Sequence, residues 1–596
     1  MNPLMLWDNP LIVRGVRTRL RLPQLVSWFV VTIVGSTFFY MFFAGNLQQI
    51  SFISGGATRT ISPQEAARDA IPALLIMQGL ILMVLGTGAV AGGMARERTY
   101  RLLDYQRLTP MTPGAKIVGL LIGMPIREYF MFAVSLPFVF YAAYRGGMPL
   151  GVLVQFYLVF IASAIVYHMT GLAAGMIVDK PWQAGTLAQG LVVVLYIALP
   201  HISNFGFTFF EHLTARPVFY GMVDQYLIPD GIEGAVQGML QDPRYEVVPF
   251  FGMMLPPVLF SLAVQGFAIL TLYVMVHRKW RNEKRLSFSK TYALFFFAVI
   301  QIFLVGSVLP FIQNDSLFAQ LVEVYIQQDD VAKPFQTFIF AMLLVTLLVS
   351  GSAALLTLFL STPNWFQSLE GYRRVIRRGR RVLRWDDDAA SGLSVALGCL
   401  LMSVLSFIVV YQAADAAGRI GVDNPVIEII LPLLLFAAVL FTMQQVIEQF
   451  SESVLVMVLF ACWLVPVLAA IITWTVGDSP IEALYIASLF PFVGLFLGCG
   501  LLLSDDAVGL STDVLPDIVA HHGMPILLLS IILYGSVAAA LLGKARRRWR
   551  KIKMLAGVSP ERPEAVVPVP DEPKPVAAPA YATVRSAPTS PPKSHQ

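Results

Sequence analysis

Apolar positions in this chain run in long, nearly unbroken stretches. A helix needs ~20 mostly apolar residues to cross a hydrocarbon core of ~30 Å. On that basis candidate spans fall at 24–44, 71–94, 118–143, 151–178, 186–199 and 251–276. A second series falls at 291–309, 335–360, 393–412, 427–446, 454–476, 483–503 and 524–542. Before the first span the pattern changes. Asn9 and Pro10 suit the N-cap and first position of a helix. Ile12, Val16 and Leu20 recur every four residues, surrounded by Arg14, Arg17, Arg19 and Arg21. Residues 1–22 are therefore expected to hold an amphipathic helix on the cytoplasmic membrane surface, with arginines at headgroup level. No A-x-A-like cleavage site follows, so the segment does not read as a signal peptide.

Lysine and arginine in the loops assign orientation. Basic loops lie at 96–107, 277–285 and 373–384, with a basic stretch at 544–553; the loops between them are acidic. Both termini are then cytoplasmic, which an odd number of spans forbids. The stretch 483–503 is interrupted by Pro491 and ends among glycines, so it is expected to enter from outside and return. Such backbone is tolerated only inside protein or along a cavity. The expectation is an all-α polytopic inner-membrane protein of about twelve transmembrane helices. Its two six-helix halves are 23–286 and 287–555, each with an outside-facing re-entrant segment. Residues 556–596, rich in proline and alanine, read as a disordered cytoplasmic tail.

Composition sharpens this picture. Of the 596 residues, 57% are apolar and 13% charged, and the mean hydropathy is +0.69; soluble domains carry roughly 25% charge. The net charge of +5 is too small and scattered for nucleic-acid binding. Cys399, Cys462 and Cys499 sit inside apolar runs, which gives neither a disulfide framework nor a thiolate metal site. The order GxxxxGK[ST] that cradles nucleotide phosphates is absent, as are HExxH and GxSxG. Gly88/Gly92 and Gly171/Gly175 form GxxxG pairs, which close helix packing explains. His168 reads as a hydrogen-bonded packing residue. Asp517, His521 and His522 have metal-like types but lack a further ligand nearby. Arg127 and Glu128 follow Pro125 inside the third span. Charges at that depth are costly, so they are candidates for a translocation path; the alternative is an interfacial turn into the span. Adjacent residues point roughly 100° apart on a helix, so the two need not pair.

The segment ARERTYRLLDYQRLTPMTPGAK (95–116) carries the most specific signal. Its spacing predicts a helix from Arg98 to Leu108, with Leu102, Tyr105 and Leu108 on one face or Leu103 and Arg107 on another. Pro110 and Pro113 are expected to end it before the third span. A stiff element between two membrane helices is well placed to transmit motion from a cytoplasmic partner.

The opening NPLIVRGVRTRLR and the loop DYQRLTPMTP resemble permeases of the type-two ABC exporter superfamily. The likeness covers roughly residues 9–285, and in the loop it rests on Asp104, Gln106, Arg107, Leu108, Thr109, Pro110, Met111, Thr112 and Pro113. Arg98 and Thr99 stand where the family often has a glycine before the threonine. The second half keeps only Ser361, Thr362 and Pro363 and an arginine run. The resemblance implies a membrane subunit whose loop docks on a separate ABC ATPase. That partner would carry the ATP and Mg²⁺ and this chain would bind no cofactor; either the chain supplies the whole transmembrane pair, or a second copy or another permease chain completes it. Arg107 would pair with a carboxylate of the ATPase and Leu108 would fill an apolar groove. An ion-coupled transporter would want several buried carboxylates, and Glu128 alone qualifies. A non-transporting scaffold using the proline-rich tail leaves the loop unexplained, and no catalytic set marks an enzyme.

Overall fold

The computed structural model describes residues 8–46, 62–178, 180–203, 205–226, 246–282, 285–317, 332–418, 425–450, 465–477, 480–491, 493–495 and 515–556. Ten helices among them are long and apolar enough to cross a membrane, so the chain is a multi-pass, all-α membrane protein. Helix α1 (Pro10–Arg19) opens it. Asn9 Oδ1 accepts from the Leu11 amide, and Pro10 occupies the first turn, as the sequence predicts. The first half continues with α2 (Leu22–Asn46) and α3 (Pro63–Gly79). A π turn (Leu80–Leu85) joins α3 to α4 (Gly86–Thr99). Then come α5 (Leu102–Leu108), α6 (Pro113–Gly123), α7 (Ile126–Gly146), α8 (Leu150–Ile177) and α9 (Pro181–Ser203). A 3-10 turn (Thr208–Leu213), α10 (Arg216–Tyr226), a hairpin of β1 (Val248–Phe250) and β2 (Met253–Leu255), and α11 (Pro257–Arg281) complete it. The second half comprises α12 (Lys290–Gln313), α13 (Ala332–Ser361), α14 (Trp365–Arg377), α15 (Leu393–Ala416) and α16 (Pro425–Gln449). It ends with α17 (Val465–Gly477), α18 (Pro480–Ala487) and α19 (Leu515–Leu555).

Three sequence expectations change. The third span is not one helix from 118 to 143: α6 ends at Gly123 and α7 starts at Ile126. Pro125 cannot donate into the ladder, and the chain turns there. The loop helix is not continuous from 98 to 108, because α4 ends at Thr99 and Arg101 adopts φ 55°, the left-handed conformation that closes helices. Pro113 does not end a helix but opens one, behind the N-cap Thr112. Helices α9 and α17 fall at two of the expected spans, in addition to the ten. The return limb expected at 483–503 reaches outside the described residues, as do Cys462, Cys499, Asp505, Asp506, Asp513 and the 557–596 tail; the side chains of Asp517 and His521 do so too. His522 lies 3.4 Å from the Tyr485 hydroxyl.

The GxxxG pairs do pack helices. The place of a Cβ on Gly88 is filled by Gln189 of α9, and Gly92 lies against Pro181; Gly171 and Gly175 meet Thr87, Ala91 and Met94 of α4. The closest approach is α1 on α6, where Gly15 and Gly123 face each other backbone to backbone.

The two halves share one core. Phe303 of α12 sits among rings of the first half, with centroids 6.0 Å from Phe209, 6.2 Å from Phe250, 6.1 Å from Phe260 and 6.0 Å from Phe267. The hairpin turn docks on the same helix: the Phe251 amide donates to the Gly306 carbonyl at 2.9 Å, and the Phe250 ring leaves no space for a side chain at Gly306. At the other end of α12, Asp387 joins the halves. It pairs with Arg278 of α11 at 2.9 Å and accepts from the Lys290 amide at 3.1 Å.

Candidate functional site

Helix α5 is a seven-residue segment bonded on three sides. Its inner face holds Leu103 and Gln106. Leu103 packs with Val90, Met94, Ile117, Leu120 and Trp280. Gln106 Nε2 donates to Glu97 Oε2 at 2.8 Å, and Glu97 Oε1 pairs with Arg14 of α1. A single carboxylate of α4 thus ties the N-terminal helix to α5. Lys116 of α6 is buried, and its ammonium bonds the Gln106 carbonyl and, at 3.2 Å, that of Thr109. It supplies the cation that helix C-termini favour. Arg107 donates from Nε to the Trp280 carbonyl of α11 at 3.1 Å and pairs with Asp104 at 3.0 Å. Thr109 Oγ1 returns to the Gln106 carbonyl at 2.7 Å, Thr99 Oγ1 bonds the Ala95 carbonyl at 2.8 Å, and Arg98 reaches the Ile177 carbonyl at 3.0 Å. Thr112 Oγ1 accepts from the Ala115 amide at 3.3 Å, so Pro110 to Pro113 form the bend into α6.

The outer side carries an apolar row beside the exposed Asp104. Leu108 is 84% exposed, Tyr105 71% and Leu102 38%. Of the two faces the spacing allows, the structure leaves Leu102, Tyr105 and Leu108 open. Arg107, expected to pair with a carboxylate of the partner, here fastens α5 to α11 through the Trp280 carbonyl. Behind α5, a cavity of 340 Å³ lies at the seam of the halves, lined by Arg98, Leu103 and Arg107 on one side and Thr362, Asn364 and Gln367 on the other.

Arg127 and Glu128 pair, a contact their angular separation on the helix does not require. The long Arg127 side chain folds back in the first turn of α7, with Nε 3.0 Å from Glu128 Oε1. Its guanidinium also lies 4.6 Å from the Trp28 ring centroid. Glu128 is fully buried, and Oε2 has no hydrogen-bond partner among the described residues. Burial pulls the nearby Arg19 guanidinium below its ordinary pKa, the Glu128 carboxylate opposing this and Arg127, Arg96 and Arg14 reinforcing it. Glu128 therefore lies close to the arginines of α1, α4 and α7.

His168 bonds the Leu82 carbonyl of the π turn at 2.8 Å and the Tyr129 hydroxyl at 3.1 Å, which is the packing role its isolation in the sequence implies. No group of three metal-ligating side chains occurs among the described residues. Glu97, Lys116 and Trp280 were not singled out by sequence; the one available signal was an acid, Glu97, within the basic run 96–107.

No protein-family profile, no curated protein and no solved structure matches this chain.

Proposed function

We propose that this chain is the membrane-spanning permease subunit of an ATP-driven exporter, and that α5 is its contact for a separate cytoplasmic ATPase. The observation that carries the reading is the exposed row Leu102, Tyr105 and Leu108 on a helix bonded to α4, α6 and α11. An apolar face on a short, fixed helix suits docking, since a truncated interface anchor commonly costs ~2 kcal/mol or more. The bonds behind it would carry a displacement of α5 into three membrane helices. In this reading Arg98, Thr99, Asp104, Gln106, Arg107, Thr109, Pro110, Thr112 and Pro113 shape and hold the element, while Leu108 and Tyr105 make the contact. ATP and Mg²⁺ reside on the partner, and both termini face the cytoplasm. Full-length protein purified from its native membrane in mild detergent should carry a P-loop ATPase and hydrolyse ATP. Leu108→Glu should lose both at unchanged membrane level. Retention of both by this variant would refute the reading.

A second reading, transport driven by an ion gradient, is favoured by one observation, the unbonded Oε2 of buried Glu128. It predicts that Glu128→Gln abolishes gradient-dependent uptake into vesicles lacking ATP.

A further inference from the structure

An apolar cavity of 330 Å³ opens on the side of the first half, away from α5. That volume falls among small-molecule sites, which run ~300–1,000 Å³. Its walls are the π turn (Leu80, Val84), α8 (Phe160), α9 (Val193) and the start of α10 (Arg216, Phe219). Two local features make the space. The π turn widens the helix where it lines the cavity, a distortion often found at functional sites. Gly79 adds room on the rim, where a Cβ would meet only Phe160, at 3.9 Å.

What fills it follows from its surroundings. Ile76 and Leu80 at the mouth are exposed on a helix long and apolar enough to cross a membrane, and Val193 beside them is exposed on α9, so the medium at the opening is hydrocarbon. Water needs two to four polar partners to occupy a cavity, and this lining is almost wholly aliphatic and aromatic. The polar members are Tyr167, Thr214 and Arg216, and of these only Arg216 is charged. Its guanidinium lies 5.0 Å from the Tyr220 ring centroid, and its buried Nε sits 3.4 Å from Glu211 Oε1. Glu211 is the more buried of the pair, so the guanidinium is the member presented outward. Arginine has five donors in a fork suited to phosphate.

We propose that this pocket binds an anionic phospholipid of the surrounding bilayer, one acyl chain lying against the π turn and the phosphate on Arg216. The site does not depend on the transport reading, because binding requires neither an ATPase nor a substrate. The test uses full-length protein in phosphatidylcholine vesicles containing a phosphatidylglycerol with a photoreactive acyl chain. Adducts should concentrate on Leu80, Val84, Phe160 and Val193. Arg216→Gln should lower that labelling about tenfold, the loss of one charge-assisted contact, without changing labelling by photoreactive phosphatidylcholine. Val193→Trp, which blocks the mouth from a lipid-facing position, should remove labelling by both lipids while the melting temperature holds. Even labelling of all lipid-facing helices, insensitive to Arg216→Gln and Val193→Trp, would overturn the proposal. So would crosslinks from a photoreactive residue replacing Leu80 that end in the chain's own residues 227–245.

Discussion

Helices α5 and α14 each follow the second span of their half, and they are inside out relative to one another. α5 buries a polar residue, Gln106, beside Leu103 and turns Leu102, Tyr105 and Leu108 outward. α14 does the reverse. Its Tyr372, with Trp365, Leu369 and Ile376, packs against Trp549 and Ile552 of α19, and Arg373, Arg377 and Arg378 face out. Asn364 and Gln367 cap α14 reciprocally, Trp549 Nε1 donates to Glu448 at 2.7 Å, and Arg374 pairs with Asp388 at 3.3 Å. The second half covers its loop helix with its own last helix. Among the described residues, α14 keeps only Phe366 exposed as a large apolar side chain, against the row of three on α5. On the proposed reading, that difference favours the first half as the docking side.

The contrast is broken most directly by paired substitutions. Leu108→Glu on α5 should reduce ATPase co-purification more than tenfold, since buried anchors carry ~2 kcal/mol or more. Phe366→Glu on α14 should leave it unchanged. Equal losses would mean that both helices dock. Next in size, Trp549→Ala removes a ring and a hydrogen bond from the cover of α14 and should cost ~3 kcal/mol. Trypsin should then cut rapidly within 373–381 while α5 stays protected; unchanged digestion there would show that α19 does not hold α14. A smaller effect is expected from Glu97→Gln. The amide keeps the shape but loses the charge facing Arg14, which is half exposed, so ~1 kcal/mol is the scale. A lowered thermal midpoint checks it, and no change would remove Glu97 as the link between α1 and α5.

The least effect near neutral pH comes from His212, at the end of the first half remote from α5. Burial pushes its pKa down from 6.5 to about 3, so the folded protein holds the ring neutral, against Ser261 at 2.7 Å. The unfolded chain binds the proton the folded one refuses. Stability is therefore complete above pH 6.5 and declines as pH falls from there toward 3. His212→Gln should flatten that decline. An identical pH dependence in the variant would assign acid sensitivity to other groups.

Sequence made the membrane class legible because ~20-residue apolar runs have few other uses. It also marked α1, through Asn9 and Pro10, and the loop that became α5. The outward face of α5 was visible only as one of two options, since helical spacing alone does not say which face meets the protein. What holds α5 was hidden by distance along the chain: Arg14 and Glu97 are 83 positions apart, and Arg107 and Trp280 are 173 apart. The break between α6 and α7 was legible only as an alternative, through Pro125 and the charges Arg127 and Glu128 that follow it. Nothing announced the turn at Arg101, because the left-handed position that glycine normally takes is filled by an arginine.

Helix α12 is fastened to the first half near both of its ends, by the rings around Phe303 with the bond to Gly306, and by Asp387 beside Lys290. Lys290 and Gly306 are ~24 Å apart along the helix at 1.5 Å per residue. Two fixed points define an axle along α12, and the contact of Met342 on α13 with Gly206 forms a third point off that axle. A swing of one half about α12 therefore has to part Met342 from Gly206 first. Any opening at the seam cavity behind α5 would then be a swing, with its width growing with distance from α12.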